Sequence, residues 1–129
     1  MEGPETFGAR PLVVGVNHRS SSLALRDRLF VEDADIPSFL NRLRAKEIDN
    51  AVLLSTCDRV EVLACHGDPQ DAAGSVLSCF ADLLGNADVM LESQFYSLFD
   101  DRAVEQIFAV SASLDSQIIG EPQVLGQVK

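Results

Sequence analysis

Two short apolar runs separated by a polar segment constrain the fold of this chain most strongly. Residues 51–54 read Ala-Val-Leu-Leu and residues 60–64 read Val-Glu-Val-Leu-Ala, with Ser-Thr-Cys-Asp-Arg between them. Short runs that end at a polar turn predict a strand, a turn and a second strand. A thiol in such a turn, here Cys57, can project toward a substrate. Arg59 lies two residues on, and a guanidinium both favours a thiolate and holds a carboxylate through two parallel hydrogen bonds.

Elements before this hairpin follow from hydrophobic spacing. Residues 11–17 predict a buried strand that ends at the polar turn 18–22, and a short helix is predicted over 23–29. The next apolar residues recur at helical spacing and predict an amphipathic helix with a proline in its first turn. They are Ile36, Phe39, Leu40 and Leu43, with Pro37 as the proline.

Elements after the hairpin complete the pattern. Asp68 as a cap and Pro69 as the first helical residue predict a helix that ends at residues 85–86. A strand is predicted over 91–98, followed by a helix capped by Asp100. The predicted buried face of that helix is Val104, Ile107, Phe108 and Ser111. The order favours an α+β fold: a ferredoxin-like split β-α-β-β-α-β sandwich with extra helices.

Domain organisation is predicted in three stretches. Residues 1–10 form a disordered lead-in, and residues 11–114 form the ferredoxin-like domain. Residues 115–129 form a further segment that begins at Asp115, is interrupted at 120–122 and leads into a long linker helix near Leu125. The last residues stop in the middle of a pattern, so we expect the chain to be cut from a longer protein.

Composition and charge argue against several function classes. The net charge is -10, from 20 acidic and 10 basic residues. This charge argues against binding of a polyanion by this chain alone. No apolar run approaches the roughly 20 residues needed to span a bilayer, and the N-terminus lacks a basic-then-apolar signal sequence. The cytoplasm is therefore the predicted compartment.

Cysteine usage predicts neither a disulfide framework nor a metal site. Three cysteines are an odd number, and no Cys-x-x-Cys occurs. The spacing of the candidate ligands matches no familiar zinc pattern; they are His18, Cys57, Cys65 and His66. Cys79 is predicted to be a small buried residue on a helix.

Three separated segments, residues 15–19, 55–59 and 114–129, together resemble the N-terminal catalytic domain of glutamyl-tRNA reductases. They read Gly-Val-Asn-His-Arg, Ser-Thr-Cys-Asp-Arg and Leu-Asp-Ser-Gln-Ile-Ile-Gly-Glu-Pro-Gln-Val-Leu-Gly-Gln-Val-Lys. The resemblance extends from Leu12 onward. It implies NADPH-dependent reduction of glutamyl-tRNA to glutamate-1-semialdehyde, the entry step of tetrapyrrole (porphyrin, heme) synthesis.

The resemblance also implies roles for named residues. Cys57 attacks the glutamyl ester and forms a thioester, and Arg59 clamps the side-chain carboxylate. His18, at the end of the first strand, could face the same pocket. The other residues implied for the glutamyl pocket are Thr56, Asp58, Ser116, Glu121, Pro122, Gln123 and Gln127.

Cofactor and partners follow from the same resemblance. NADPH is expected to bind in a domain outside this chain, which has no Gly-x-Gly-x-x-Gly fingerprint. Glutamyl-tRNA is expected to be contacted largely by other domains. The full-length protein is expected to be a homodimer, with a possible hand-off of the aldehyde to an aminomutase. No membrane partner is expected.

Three departures from the family pattern leave two interpretations open. Gln106 stands where the family carries a histidine thought to assist proton transfer, Asp58 replaces an asparagine, and Ser113 replaces a glycine. Glutamine can hydrogen-bond but cannot exchange a proton near neutral pH. Either the enzyme is active with His18 or water as the proton carrier, or it is a catalytically impaired paralogue that binds glutamyl-tRNA or a regulatory partner. A redox sensor with Cys57 as its switch thiol is a third hypothesis.

Simpler roles remain open for individual residues. Arg59 alone is more often part of a surface ion pair of little energetic value. Ser116 can equally cap a helix beside Asp115, and His18 alone is more often a turn residue.

Overall fold

The computed structural model describes residues 8–85 and 93–120, with side chains up to residue 112 in the last helix. Its elements, in chain order, are β1 (Arg10–Asn17), α1 (Leu23–Leu29), a 3-10 turn (Asp33–Asp35), α2 (Ile36–Ala45), β2 (Ala51–Ser55), β3 (Arg59–His66), α3 (Pro69–Leu83), β4 (Tyr96–Phe99) and α4 (Asp101–Gly120). This sequence of elements confirms the predicted alternation.

The four strands form one sheet in the order β2-β3-β1-β4, and each neighbouring pair is antiparallel. β3 therefore lies between β1 and β2, which run parallel to each other without pairing. This is the split βαβ arrangement, and it confirms the predicted ferredoxin-like fold.

One face of the sheet, which we call the core face, is apolar. Leu12, Val14 and Val16 of β1 lie opposite Ala64, Val62 and Val60 of β3, and all six are buried. α1, α2 and α3 contribute the other side of this core, where the rings of Phe39 and Phe80 lie 5.5 Å apart. Since alternate strand residues point to opposite faces, the apolar positions at every second residue determine this layer.

The opposite face, which we call the site face, is partly covered by α4. Because side chains alternate along a strand, Gly15 and Asn17 of β1 share this face with Glu61 and Arg59 of β3. Tyr96 of β4 lies across from Gly15 on the other side. α4 directs Ala103 and Val110, which are both buried, toward the sheet. The site face is thus polar at one end and close-packed beneath the helix.

Local signals for the helix starts are confirmed. The Ser22 side chain caps α1 by accepting from the Leu25 N–H, and the Asp68 side chain caps α3 by accepting from the Asp71 N–H. Pro37 lies in the first turn of α2, where no intrahelical donor is needed. Cys79 is buried on α3, as predicted.

The predicted buried face of the last helix is wrong. Val104 and Phe108 are 39% and 69% exposed, whereas Ala103 and Val110 are buried. The helix contacts the sheet with the side that carries Gln106, because that residue supplies a hydrogen bond to a buried carboxylate of β3. Ala103, Ile107 and Val110 form the apolar stripe of this side, and Gln106 lies within it.

Element boundaries differ from prediction at several places. β4 covers only Tyr96–Phe99, and the predicted strand residues 91 and 92 lie outside the described part of the chain. α4 runs without a break through Asp115, where a new segment was predicted to begin. The carboxylate of Asp100 pairs with Arg10 of β1. Most of the predicted lead-in lies outside the described residues, and β1 begins at Arg10.

Candidate active site

The turn between β2 and β3 presents Cys57 to solvent. The Thr56 N–H donates to the Arg59 carbonyl over 2.8 Å, which closes the turn. The Thr56 hydroxyl in turn accepts from the backbone N–H groups of Asp58 and Arg59, each over 3.2 Å. Short hydroxyl side chains stabilise tight turns in this way. Thr56, predicted to bind substrate, is thus first a turn residue that fixes Cys57 at the exposed tip.

Asp58 lies directly beside the cysteine. Its Oδ1 is 3.9 Å from the Cys57 sulfur, and both side chains are exposed. A thiol is a weak donor and a carboxylate is an acceptor, so Asp58 can take a hydrogen bond from the protonated thiol. Asp58, which the sequence analysis singled out as a departure from the family pattern, is thus a polar neighbour of the candidate nucleophile.

A second turn, at the end of β1, carries His18 and Arg19. The Asn17 side-chain oxygen accepts from the Arg19 N–H over 2.9 Å and from the Ser20 N–H over 3.0 Å. This Asx turn holds His18 and Arg19 in exposed positions at the end of the sheet. Asn17 pairs with Arg59 of β3, so the two turns are neighbours at the same edge of the molecule.

An open cleft of about 280 Å³ lies on the site face next to these turns. Its lining includes Asn17, His18, Arg19, Arg59 and Gln106. None of the described residues that line it is acidic, and two are arginines. The cleft therefore suits an anionic group such as a carboxylate, which a guanidinium binds through parallel hydrogen bonds. Three predicted site residues, His18, Arg59 and Gln106, come together here.

A fully buried carboxylate, Glu61, lies beneath the cleft. Its Oε1 accepts from Arg59 Nη1 over 3.0 Å, and its Oε2 accepts from Gln106 Nε2 over 2.7 Å and from the Tyr96 hydroxyl. A charge without water needs such donors, because its desolvation is costly. Arg59 is therefore neither a surface ion pair nor a partner of Asp58. One buried carboxylate holds Arg59 and Gln106 in a fixed relation to each other.

Gly15 provides the space in which this cluster forms. A Cβ on Gly15 would lie 2.2 Å from the Val60 carbonyl oxygen and 2.7 Å from the Glu61 Cα, both far inside van der Waals contact. Glu61 and Tyr96 flank Gly15 on the two neighbouring strands. Because Gly15 has no side chain, these two residues meet above it.

Burial raises the pKa of the Tyr96 phenol, and the hydrogen bond to Glu61 and the charge of that carboxylate raise the pKa further. Tyr96 consequently remains a proton donor to Glu61 throughout the physiological range.

Sequence reasoning missed Glu61, Tyr96 and Arg26, the last of which is a buried arginine on α1. The signal for Glu61 was present: it is an acidic residue at the centre of an otherwise apolar strand, where a charge needs partners. Arg26 lies between the buried residues Leu25 and Leu29, on a helix too short to reveal its buried side by periodicity.

Several predicted pocket residues are not placed by the structure. Ser116 lies in the part of α4 whose side chains are not described, as does Ser113. The remaining four lie outside the described residues; they are Glu121, Pro122, Gln123 and Gln127.

Among the residues that are described, no group of three His, Cys, Asp or Glu side chains converges as a metal site would require. The helices described also include none that is both long and apolar enough to cross a bilayer.

The fold and the site together define a ferredoxin-like domain with an exposed thiol beside a cleft suited to anions. The family model for the glutamyl-tRNA(Glu) reductase N-terminal domain matches residues 14–129, and the chain belongs to this family. Its match includes both turns and the last helix.

Individual relatives agree with this assignment. The chain is 39% identical over 118 residues to a glutamyl-tRNA reductase of Rhodospirillum rubrum, covering 92% of this chain and 27% of the relative. It is 40% identical over 119 residues to that of Salinispora arenicola, covering 92% and 26%. The chain thus spans about a quarter of the length of these relatives.

A solved structure supports the fold. Glutamyl-tRNA reductase from Methanopyrus kandleri superposes with a TM-score of 0.58 at 21% identity, over 92% of this chain and 26% of that one. At this identity the likeness bears on the architecture alone.

Proposed function

We propose that this chain is the substrate-recognition and thioester-forming domain of an NADPH-dependent glutamyl-tRNA reductase in tetrapyrrole synthesis. The observation that carries the proposal is the exposed Cys57, in the same turn as Arg59, which together with Arg19 lines a cleft without a described acidic residue; Cys57 itself is not among the lining residues. Membership of the family supports the same substrate.

The first chemical step is acyl transfer to sulfur. The Cys57 thiolate attacks the carbonyl carbon of the glutamyl ester, a carbon–sulfur bond forms, and the bond from that carbon to the tRNA oxygen breaks. The departing tRNA oxygen takes up one proton. Cys57 suits this role because it is exposed at the tip of a rigid turn, whereas Cys79 is buried.

Arg59 recognises the side-chain carboxylate of the glutamyl group. The hydrogen bond to Glu61 uses one of the five N–H donors of the guanidinium, and the others are left for a ligand. Because Glu61 restrains this arginine, its charge is oriented before the substrate arrives. A glutaminyl group has no negative charge and would form only neutral hydrogen bonds with Arg59 and Arg19, so the cleft discriminates against it.

Proton transfer cannot use Gln106, since an amide does not titrate near neutral pH. Its Nε2 donates to Glu61, which makes it a structural partner of the buried carboxylate. His18 lines the same cleft and is exposed to water, so His18 or a water molecule supplies the proton to the leaving oxygen.

The 8 glycines of this chain form no Gly-x-Gly-x-x-Gly dinucleotide-binding fingerprint. In this proposal, the hydride for aldehyde formation comes from NADPH bound by a further domain of the protein. Four further predictions belong to the same proposal. Other domains bind most of the glutamyl-tRNA, the full-length protein is a homodimer, an aminomutase receives the aldehyde, and the protein is located in the cytoplasm.

Intact-protein mass spectrometry after mixing the full-length protein with glutamyl-tRNA tests the proposal. We expect one glutamyl adduct that maps to Cys57, is absent in Cys57→Ser and is retained in Cys65→Ser. Cys65 is a matched control because it is also an exposed free cysteine. An unmodified protein without adduct, or an adduct that persists in Cys57→Ser, would contradict thioester formation.

A second candidate function is binding of glutamyl-tRNA without reaction. Two observations favour it: Gln106 is held by Glu61 at the position of the family's histidine, and Asp58 lies beside the thiol. An adduct that forms in Gln106→His but not in the unmodified protein would identify this impaired form. A redox switch would instead require peroxide oxidation of Cys57 and no acylation at all.

A further inference from the structure

Arg26 is a buried cation at the junction of the two site turns. It lies on α1 and is only 9% exposed. Its Nε donates to the Cys57 carbonyl over 3.0 Å, and its Nη1 donates to the Ser21 carbonyl over 2.7 Å. The same Nη1 lies 3.2 Å from the Ser21 hydroxyl and 3.5 Å from the Asn17 carbonyl. One guanidinium therefore binds the Cys57 turn and the turn that carries His18.

No carboxylate in the described part of the chain pairs with Arg26. A buried charge without a counter-ion is costly, and the Nε and Nη1 donors are satisfied here by backbone carbonyls and the Ser21 hydroxyl. A helix requires no such residue, because an apolar side chain at this position would fill the same layer. The cost therefore points to a role in joining the two turns.

The fork of the guanidinium explains why an arginine serves this purpose. Nε and Nη1 point along fixed directions in one plane, so the two turns are held at one separation. Within the part of the chain that the structure describes, the last pair of the β1–β3 ladder, Asn17 and Arg59, is the other connection between the two turns.

We infer that Arg26 is a positioning residue, which holds the Cys57 turn in register with the turn that carries His18 and Arg19 on the other side of the cleft. This inference rests on the proposed function and goes beyond it, since Arg26 touches neither the substrate nor the thiol. Acyl transfer requires the attacking sulfur within roughly 3–3.5 Å of the carbonyl carbon while His18, or a water molecule beside it, faces the leaving oxygen. The separation of the two turns therefore sets the rate of the acylation step.

Single-turnover acylation of the full-length protein by glutamyl-tRNA tests the inference. We expect Arg26→Lys to slow acylation about 10²-fold, because an error of about 1 Å in position costs this much. The half-saturating tRNA concentration should not change, because Arg59 still binds the carboxylate. The rate of Cys57 alkylation by iodoacetamide should also not change, since a small reagent needs no register with the cleft.

Arg28→Lys is the matched control. Arg28 lies on the same helix and also donates to a backbone carbonyl, that of Leu84, at 3.0 Å and away from the site. Its replacement should leave acylation unchanged. Thermal unfolding of each variant gives the folded fraction, to which the rates are normalised. Arg26→Lys retains a charge and a donor, which favours folding of the variant.

Each result bears on the inference. Equal acylation rates in Arg26→Lys and the unmodified protein would overturn it and leave the proposed function intact. Alkylation and acylation that slow in parallel would also overturn it, because Arg26 would then act on the thiol itself. No adduct in the unmodified protein would overturn the proposed function and this inference together.

Discussion

The two faces of the sheet bury side chains of opposite character. On the core face, Leu12, Val14 and Val16 pack against helices through apolar contacts alone. On the site face, Gly15 leaves room for Glu61 and Tyr96, and α4 adds Gln106 to the same hydrogen-bonded cluster. The same two central strands thus supply both layers, through alternate residues.

This difference assigns the stability of the fold mainly to the core face and the chemistry of the site to the site face. Apolar contacts are nondirectional, so the core face tolerates exchange of similar side chains. The cluster of the site face depends on direction and on satisfying every donor and acceptor, so a small change there alters geometry. We expect substitutions on the core face to lower stability without changing the chemistry of the folded protein, and substitutions on the site face to change both.

Phe80→Ala should have the largest effect on stability. Phe80 is 1% exposed and packs against the rings of Phe39 and Phe95, at centroid distances of 5.5 and 5.6 Å. Removing a buried aromatic ring costs about 3–5 kcal/mol of the free energy of unfolding. Urea denaturation measures this loss. The Cys57 acylation rate of the folded fraction should stay unchanged.

Phe108→Ala is the matched control for this prediction. Phe108 is 69% exposed on α4, and its removal should change the free energy of unfolding by no more than about 0.5 kcal/mol. A lower acylation rate in folded Phe80→Ala would show that the two faces are not independent.

Gly15→Ala should have the next largest effect. The added Cβ meets the Val60 carbonyl at 2.2 Å, and backbone atoms cannot move aside as a flexible side chain can. We expect a loss of about 3 kcal/mol in the free energy of unfolding, because over-packing typically costs about 1–3 kcal/mol. We also expect slower acylation in the folded protein, because the β1–β3 spacing that supports Glu61 and Arg59 increases.

Gly74→Ala controls for the general effect of an alanine. Gly74 lies in α3, and nothing lies within 4 Å of an added Cβ. The change should stabilise the protein by up to about 1 kcal/mol, since alanine is the better helix former. Similar free energies of unfolding for both alanine variants would refute the close approach at Gly15.

Tyr96→Phe should have the smallest effect on stability and a distinctive dependence on pH. Loss of the hydrogen bond to buried Glu61 should cost about 1.5 kcal/mol at neutral pH. The pKa of the phenol is raised in the folded state above its ordinary value of 10.0. The unfolded chain therefore releases this proton first, and the free energy of unfolding falls as the pH rises above the ordinary value.

Tyrosinate absorbance measures this titration directly, since the chain contains a single tyrosine and no tryptophan. In the unmodified protein, the fall in the free energy of unfolding at high pH should accompany late ionisation of the phenol. In Tyr96→Phe, the free energy of unfolding should not show the part of this decrease at high pH that comes from ionisation of the phenol. Ionisation of the folded protein at the ordinary pKa would contradict the buried contact with Glu61.

The order of strands and helices along the chain was predictable because it depends on local patterns. The apolar runs of β1 and β3, the cap at Asp68 and the proline in α2 were all predicted and confirmed. The exposed turn at Cys57 followed from the polar residues between two apolar runs. Each of these signals lies within a few residues of the feature that it predicts.

The buried cluster was not predictable, because its members are distant in sequence. Glu61 and Gln106 are 45 residues apart, and Arg26 and Cys57 are 31 residues apart. The rotation of α4 was predicted wrongly for the same reason: its apolar stripe suggested burial of Val104 and Phe108, which are exposed. Ala103 and Val110 are buried instead, on the side of the helix that also brings Gln106 to Glu61.

The sequence by itself determined the strands, the helix starts, the family and the exposed thiol, because short-range spacing and capping encode each of them. Only the tertiary structure decided which polar side chains became partners. Strand register brought Glu61 and Tyr96 to either side of Gly15, and helix packing brought Arg26 beneath the Cys57 turn. Hydrogen bonds depend on distance and direction in three dimensions, which a linear pattern of residues does not record.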